Sequence, residues 1–188
     1  MNTFIHKDYK ENITQNQYVD IGETDKYQKE VYEASVKIYN DKNFSSVVDL
    51  GCGSAYKLLN YFPESAILIG IEEELTYKWL LNTYPKHNWL MFTPTLLLEP
   101  FDILICSDVI EHIVKLEEFV KWIVSQSWKI GVFSTPDRVY YEGPPINTSH
   151  VREWNFEEFE SFMSQWFEII DHVVRGQATQ IISVRKHT

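Results

Sequence analysis

VVDLGCGSAYKL, residues 47–58, joins an apolar run to two closely spaced glycines and then to a helix-forming segment. SVVDL (46–50) suits a buried strand. SAYKLLNYF suits a helix that ends near Pro63, where the ring and the missing N–H stop it. Between the two, Gly51 and Gly53 remove side chains where the backbone must bend sharply and where a ligand can approach it closely. The stretch reads as a strand, a ligand-accessible turn and a helix.

Outward from this turn the periodicity keeps alternating. AILIGIE (66–72) reads as a second strand, LTYKWLLNT as a helix and NWLMF (88–92) as a third strand. FDILICS (101–107) is a fourth, and its continuous apolar run suits a sheet covered on both faces. Leu116, Phe119, Val120, Ile123 and Val124 form a helical face, KIGVFST (129–135) a fifth strand, and Pro136 ends it. Upstream, Thr24 is placed to cap a helix that carries Tyr27, Val31, Ala34 and Ile38 on one stripe. From Pro136 to Trp154 the chain is rich in Pro, Gly, Asn, Ser and Thr, the composition of a long functional loop. Asn155 with Glu158 makes a capping box for a helix bearing Phe156, Phe159, Phe162, Met163 and Trp166. FEIIDHVV and TQIISVRK, split by RGQA, then form an antiparallel hairpin. The fold class is α/β: a doubly wound, mostly parallel sheet with an antiparallel carboxyl-terminal hairpin. Residues 21–188 form one domain, and residues 1–20, with weak structural signals, a partly mobile extension.

Composition narrows the functions. The 188 residues are 44% hydrophobic, enough for one sizeable core, and carry a formal net charge of -10. That charge disfavours a long nucleic acid or an anionic membrane as partner. The polar amino terminus and the lack of an eighteen-residue apolar run point to a soluble, cytoplasmic protein. Cys52 and Cys106 are too far apart for a local metal knuckle and are expected as thiols in a reducing compartment. Nothing in the sequence sets an oligomeric state.

The chemical signal begins at the glycine turn. Glu72, at the end of the second strand and 19 residues after Gly53, can accept hydrogen bonds from both hydroxyls of a ribose. The dinucleotide pattern G-x-G-x-x-G fails because Tyr56 stands at its third glycine, which disfavours a nicotinamide enzyme. On the bland reading, with equal weight, the glycines make only a tight turn and Glu72 is a solvated strand end. If the turn holds a ligand, a valine at Gly51 is expected to block it and leave the fold largely intact.

VVDLGCGSAYKL, LIGIEEE, FDILICSDVIEHI, VFSTPDR and HVREWNFEEF follow one another in an order that resembles the class I S-adenosylmethionine-dependent methyltransferases with a D-x-x-E-H segment after the fourth strand. The resemblance spans roughly residues 24 to 185. It implies a Rossmann-like sheet of seven strands with the last antiparallel, S-adenosylmethionine as cofactor, and methyl transfer to an oxygen, nitrogen or sulfur nucleophile, while the acidic charge favours a small polar or carbohydrate-type acceptor, by preference at oxygen. It also implies that Asp49, Gly51, Cys52 and Gly53 hold the methionine part, Glu72 the ribose, and Ser107 and Asp108 the region beside the sulfonium. Ala55 replaces the family's third glycine, and Phe92 and Thr93 stand where relatives often have an acid near the adenine. Those departures keep open a sensor or inactive partner subunit that binds the cofactor without catalysis.

For an acceptor hydroxyl, Asp108, His112 and His150 are the candidate bases, with helix capping or loop packing as the bland alternative. Tyr140, Tyr141 and Trp154 are candidates for the acceptor pocket, Trp154 equally for the core. Tyr27 and Gln28 could close over the cofactor, although a surface position is the readier expectation for Gln28. Asp108, Glu111 and His112 are spaced three and four apart, so a helix starting at this turn would put them on one face, with His150 joining from the loop after the fifth strand. This D-x-x-E-H followed by H-x-x-E-W resembles the metal-dependent small-RNA 2′-O-methyltransferases, and its first part the ubiquinone-pathway O-methyltransferases, which carry Glu where this chain has Asp108. The resemblance implies a divalent metal on Asp108, Glu111, His112 and His150. The competing reading has the acids at a helix amino terminus and the histidines on water or backbone.

Overall fold

The computed structural model describes residues 27–138, 145, 147–176 and 178–187. The expected extension over 1–20 and the Thr24 cap lie outside them. Among the described residues, five α-helices, α1 (Lys29–Asp41), α2 (Tyr56–Tyr61), α3 (Glu74–Thr83), α4 (Leu116–Ser125) and α5 (Phe156–Met163), pack on seven strands. The strands are β1 (Ser46–Leu50), β2 (Ile67–Glu72), β3 (Asn88–Met91), β4 (Ile103–Ser107), β5 (Ile130–Pro136), β6 (Phe167–Arg175) and β7 (Thr179–Lys186). Their order is β3-β2-β1-β4-β5-β7-β6. Pairing is parallel from β3 to β5, while β7 runs antiparallel to both β5 and β6. This is the doubly wound sheet with a terminal hairpin that the alternation predicts. Pro136 is the last residue of β5, opposite Thr179, instead of standing beyond its end. No helix among the described residues is long and apolar enough to cross a membrane.

The period of two sorts each strand between two cores. Val48, Leu50, Leu104, Cys106, Phe133, Ile182 and Val184 meet α4 and α5 residues such as Phe119, Ile123, Phe159 and Met163 on one face. Val47, Ile103, Ile105, Val132 and Ile181 meet Val31, Tyr32, Leu58 and Leu80 of α1, α2 and α3 on the other. Burial on both faces is why β4 is apolar from Ile103 to Cys106.

At the amino ends of the central strands, Asp102 is a polar tie. Its Oδ2 accepts from Ser45 N–H (2.7 Å) and Ser46 N–H (3.1 Å), and Oδ1 lies 2.6 Å from Lys129 Nζ. The opposite, carboxyl ends are left open. The order reverses at β1, whose two neighbours connect in opposite directions, and in open α/β sheets such a point leaves a crevice for ligands.

Candidate functional site

A cavity of about 740 Å³ occupies that crevice. Its floor is the turn after β1. Gly51 has φ +79, and a Cβ there would lie 2.3 Å from Val109 Cγ2. The expectation that valine at this position would spare the fold is therefore corrected: the turn itself has no room for a side chain. Gly53, at φ +55, donates its N–H to Glu72 Oε1 at 2.7 Å, and Glu73 N–H donates to Oε2 at 2.9 Å. Burial pushes the Glu72 carboxyl up to about 7, against the pull of these two amides. An ionised carboxylate has about four acceptor sites, so two amides leave room for two hydroxyls. Ala55 takes the left-handed φ of +56 that its glycine counterpart would favour, with its methyl fully buried.

Asp49 sits behind this turn, outside the cavity lining. Tyr32 donates its hydroxyl to Asp49 Oδ2 at 2.6 Å, and Oδ1 is buried without a partner. Burial raises the Asp49 carboxyl to about 7, and the Tyr32 hydrogen bond holds it from going further. The residue fastens α1 to β1 beneath the turn. Lys57, buried at the start of α2, is the only lysine or arginine among the described lining residues, and its charge draws down the carboxyls of Asp49 and Asp108.

After β4 the chain turns through Asp108 at φ +52. Ser134 Oγ donates to Asp108 Oδ1 at 2.7 Å, so its contact with Ser107 Oγ at 2.9 Å must use the Ser107 proton. Gln28 Nε2 donates to Asp108 Oδ2 at 3.2 Å, which places Gln28 over the cavity instead of out in solvent. Tyr27 lines the same opening. Burial raises the Asp108 carboxyl, and the Ser134 and Gln28 hydrogen bonds oppose it.

Ile110–His112 is a single 3-10 turn, so the expectation of an α-helical face starting at Asp108 is corrected. Glu111, His112 and His150 offer ligand atoms that all lie within 4.8 Å of one another. Asp108 is not in that group, its carboxylate being used by Ser134 and Gln28. Both carboxylate oxygens of fully buried Glu111 lack a hydrogen-bond partner, and burial pushes this carboxyl well above its ordinary range. The His112 and His150 rings lie 4.8 Å apart at 79°. His112 Nδ1 donates to Ser149 O at 2.9 Å, and His150 contacts Glu153 through Nδ1 and Asn147 through Nε2. Burial, then the neighbouring His112, lowers His150 to about 4, while burial raises Glu153 to about 7. Their contact near neutral pH is thus a hydrogen bond to a neutral imidazole. An orphaned buried carboxylate beside two imidazoles is a donor set that fits a divalent transition metal.

Trp154 stacks on Phe162 and packs against Phe159 in the core, which settles its place outside the pocket. Phe92 lines the cavity, whereas the Thr93 hydroxyl meets Thr95 and is not part of the lining. Tyr140 and Tyr141 lie outside the described residues. Tyr32, Lys57, Ser134 and Asn147 were not singled out by sequence, whereas Glu153 is the acid of the H-x-x-E-W segment. Ser134 alone had a signal, since parallel pairing of FDILICS with KIGVFST puts it opposite Ser107.

No protein-family model matches the chain, and no curated protein matches it. Solved structures do. The small RNA methyltransferase HEN1 is 22% identical with a TM-score of 0.66, over 86% of this chain and 25% of that one. The present chain thus spans a quarter of that structure's length. The methyltransferase domain of a bacterial CtHen1 is 18% identical at a TM-score of 0.64, covering 85% of this chain and 99% of that one. Magnesium protoporphyrin IX methyltransferase from Synechocystis, solved with bound S-adenosylhomocysteine, is 12% identical at 0.63, over 96% and 92%. These likenesses show that the chain has the Rossmann-like class I methyltransferase fold.

Proposed function

We propose that this chain transfers the methyl group of S-adenosylmethionine to a hydroxyl oxygen of a small polar or carbohydrate-type acceptor, as a soluble cytoplasmic enzyme. One observation carries the reading: a single cavity joins the Gly51–Gly53 turn and Glu72 at one end to Glu111, His112 and His150 at the other. In this reading Glu72 receives the ribose hydroxyls, and the backbone of Gly51, Cys52 and Gly53 follows the methionine part. Ser107 and Asp108 border the sulfonium, with Asp49 supporting the turn from below.

The acceptor oxygen would then stand on the histidine side of the methyl group. Its lone pair forms the new O–C bond as the S–C bond breaks, and S-adenosylhomocysteine departs with the sulfur's electron pair. Holding the reactants in line supplies most of the rate. His150 is kept neutral by burial, so it can take the hydroxyl proton, with His112 and Asp108 as the other candidate bases. Alternatively, Glu111, His112 and His150 would hold a divalent ion, which would lower the pKa of a coordinated hydroxyl and so replace the general base. Among the described lining residues, the carboxylates outnumber the one lysine, Lys57, which supports a neutral acceptor over a polyanion. The likeness to HEN1, together with HVREW after SDVIEHI, makes a ribose hydroxyl of a small RNA the alternative acceptor. A cofactor sensor without turnover is the alternative of a different class.

Calorimetric titration with S-adenosylhomocysteine tests the first part. Glu72→Ala is expected to weaken binding roughly ten- to hundredfold, the loss of hydrogen bonds to a charged acceptor at about 1.5–3 kcal/mol. A change under about twofold would remove Glu72 from the ribose. Release of S-adenosylhomocysteine is then followed with polyols, sugars and a short RNA, after chelation and with Mg²⁺, Mn²⁺, Fe²⁺ or Zn²⁺ restored singly. Binding without turnover on the whole panel supports the sensor. Methylation of the RNA alone overturns the small acceptor, and chelator-resistant turnover returns the histidines to acid–base roles.

A further inference from the structure

Asp108 lines the cavity but stands outside the ligand atoms that Glu111, His112 and His150 bring together, so its carboxylate has another use. Its surroundings fix its charge. Ser134 Oγ accepts from the Ser107 hydroxyl at 2.9 Å and from Asp108 N–H at 3.1 Å, which fills both of its lone pairs, and its one proton goes to Asp108 Oδ1 at 2.7 Å. Gln28 Nε2, which only donates, meets Oδ2 at 3.2 Å. Both oxygens face donors, the arrangement of an ionised carboxyl. Lys57 and His112 are the basic groups that favour this charge, and Glu111 is the acid that faces it. The position of Asp108 follows from its neighbours. Val109, the next residue, fills the space that a Gly51 side chain would take, and Glu111 belongs to the histidine cluster. Asp108 therefore stands between the two ends of the cavity, where a methyl group handed from one to the other must pass.

We propose that Asp108 is the counter-charge to the cofactor's sulfonium, by which the cavity tells the methylated cofactor from its neutral-sulfur product, and that Ser134 is the positioning residue for that charge. This rests on S-adenosylmethionine being the cofactor. A sulfonium has no N–H or O–H to donate, so it is recognised by charge at short range, and the hydrogen bonds that Ser134 and Gln28 give Asp108 do not compete with it. S-Adenosylhomocysteine lacks the methyl group and the positive charge and keeps the rest. The attraction that holds the methyl donor is thus lost once the methyl has left, which favours release of the product. Ser134 is fully buried in β5, opposite Ser107 of β4, so water is a poor substitute for its hydroxyl.

Calorimetric titration near neutral pH with S-adenosylmethionine and, separately, S-adenosylhomocysteine gives the ratio of the two dissociation constants. Asp108→Asn is expected to weaken S-adenosylmethionine roughly tenfold or more relative to S-adenosylhomocysteine. Ser134→Ala shifts the ratio the same way by about three- to tenfold, and Ser134→Thr, which keeps the hydroxyl, stays within about twofold of wild type. Equal weakening of both ligands in folded variants shows a structural role only and overturns the proposal. A shift in Asp108→Asn without one in Ser134→Ala overturns Ser134 alone. Carbon-13 carboxyl NMR of wild type at the same pH depends on no variant's folding: the Asp108 signal is expected in the ionised range, and a protonated carboxyl overturns the proposal. If wild type binds neither ligand, the cofactor reading falls and this assignment with it, whereas binding of both with a ratio that no variant moves overturns only the roles given to Asp108 and Ser134.

Discussion

Gly51 combines two demands that no side chain meets. Its φ of +79 is left-handed, which costs an L-residue about 1–2 kcal/mol, and its missing Cβ is the space that Val109 Cγ2 fills. Gly51→Ala is therefore expected to lower stability by roughly 2 kcal/mol or more, the strain plus an overpacking cost, with a matching fall in urea midpoint. An unchanged midpoint would mean that Val109 swings away freely. This glycine was legible in the sequence as a tight turn, but the neighbour that enforces it was not, since Val109 lies 58 positions further along. Asp108 shows the reverse failure. Its spacing to Glu111 and His112 is the same in an α-helix and in the observed turn, so spacing alone could not show that Asp108 bonds to Ser134 and Gln28, away from the cluster.

Elements were more legible than contacts because their signals are local. The Asn155–Glu158 capping box is complete: Asn155 Oδ1 accepts Glu158 N–H at 2.8 Å, and Glu158 Oε2 accepts Asn155 N–H at 3.0 Å. α5 is short, eight residues, so it depends on this cap and on burying Phe159, Phe162 and Met163. Asn155→Ala is expected to cost about 1 kcal/mol, read as a lower unfolding midpoint, while Asn155→Asp keeps an acceptor and most of the stability. Equal midpoints for wild type and the alanine variant would show that packing alone holds the helix. α1 is the contrasting element. Its stripe was drawn through Tyr27, Val31, Ala34 and Ile38, whereas the buried face is Val31, Tyr32, Ser35 and Tyr39, and Tyr32 reaches Asp49 across 17 residues, a tie that exists only once the helix lies on the sheet. In the loop 147–153, His150 and Glu153 were legible in the H-x-x-E-W segment, but the hydrogen bonds that tie Ser149 and Val151 to the turn after β4 were not.

At the scale of the molecule, the two ends of the sheet have opposite responses to pH. At the carboxyl ends, burial holds Asp49 and Glu72 near 7 in the folded chain, well above the roughly 4 of an unfolded carboxyl. The native state then binds more protons than the unfolded state between about pH 4 and 7, so stability falls as pH rises through that window and levels off above it. At the amino ends, burial of Asp102 is outweighed by hydrogen bonds from Lys129, Ser45 and Ser46, which hold its carboxyl well below the usual range. Its contribution is present above about pH 4 and is lost as pH falls further toward the lowered value. Without ligand, the protein is expected to be most stable near pH 5, with a melting temperature roughly 5 °C above that at pH 8. Asp49→Asn, which still offers Tyr32 an acceptor, flattens the decline from pH 5 to 8 and leaves the acid limb in place. Asp102→Asn does the opposite. Bound S-adenosylhomocysteine, by giving ionised Glu72 hydroxyl donors, raises the melting temperature more at pH 8 than at pH 5.5. A profile that rises from pH 5 to 8 in the free protein would show that Asp49 and Glu72 are ionised without penalty. The crevice would then be wetter than its burial indicates, and the open end of the sheet would cost the fold nothing.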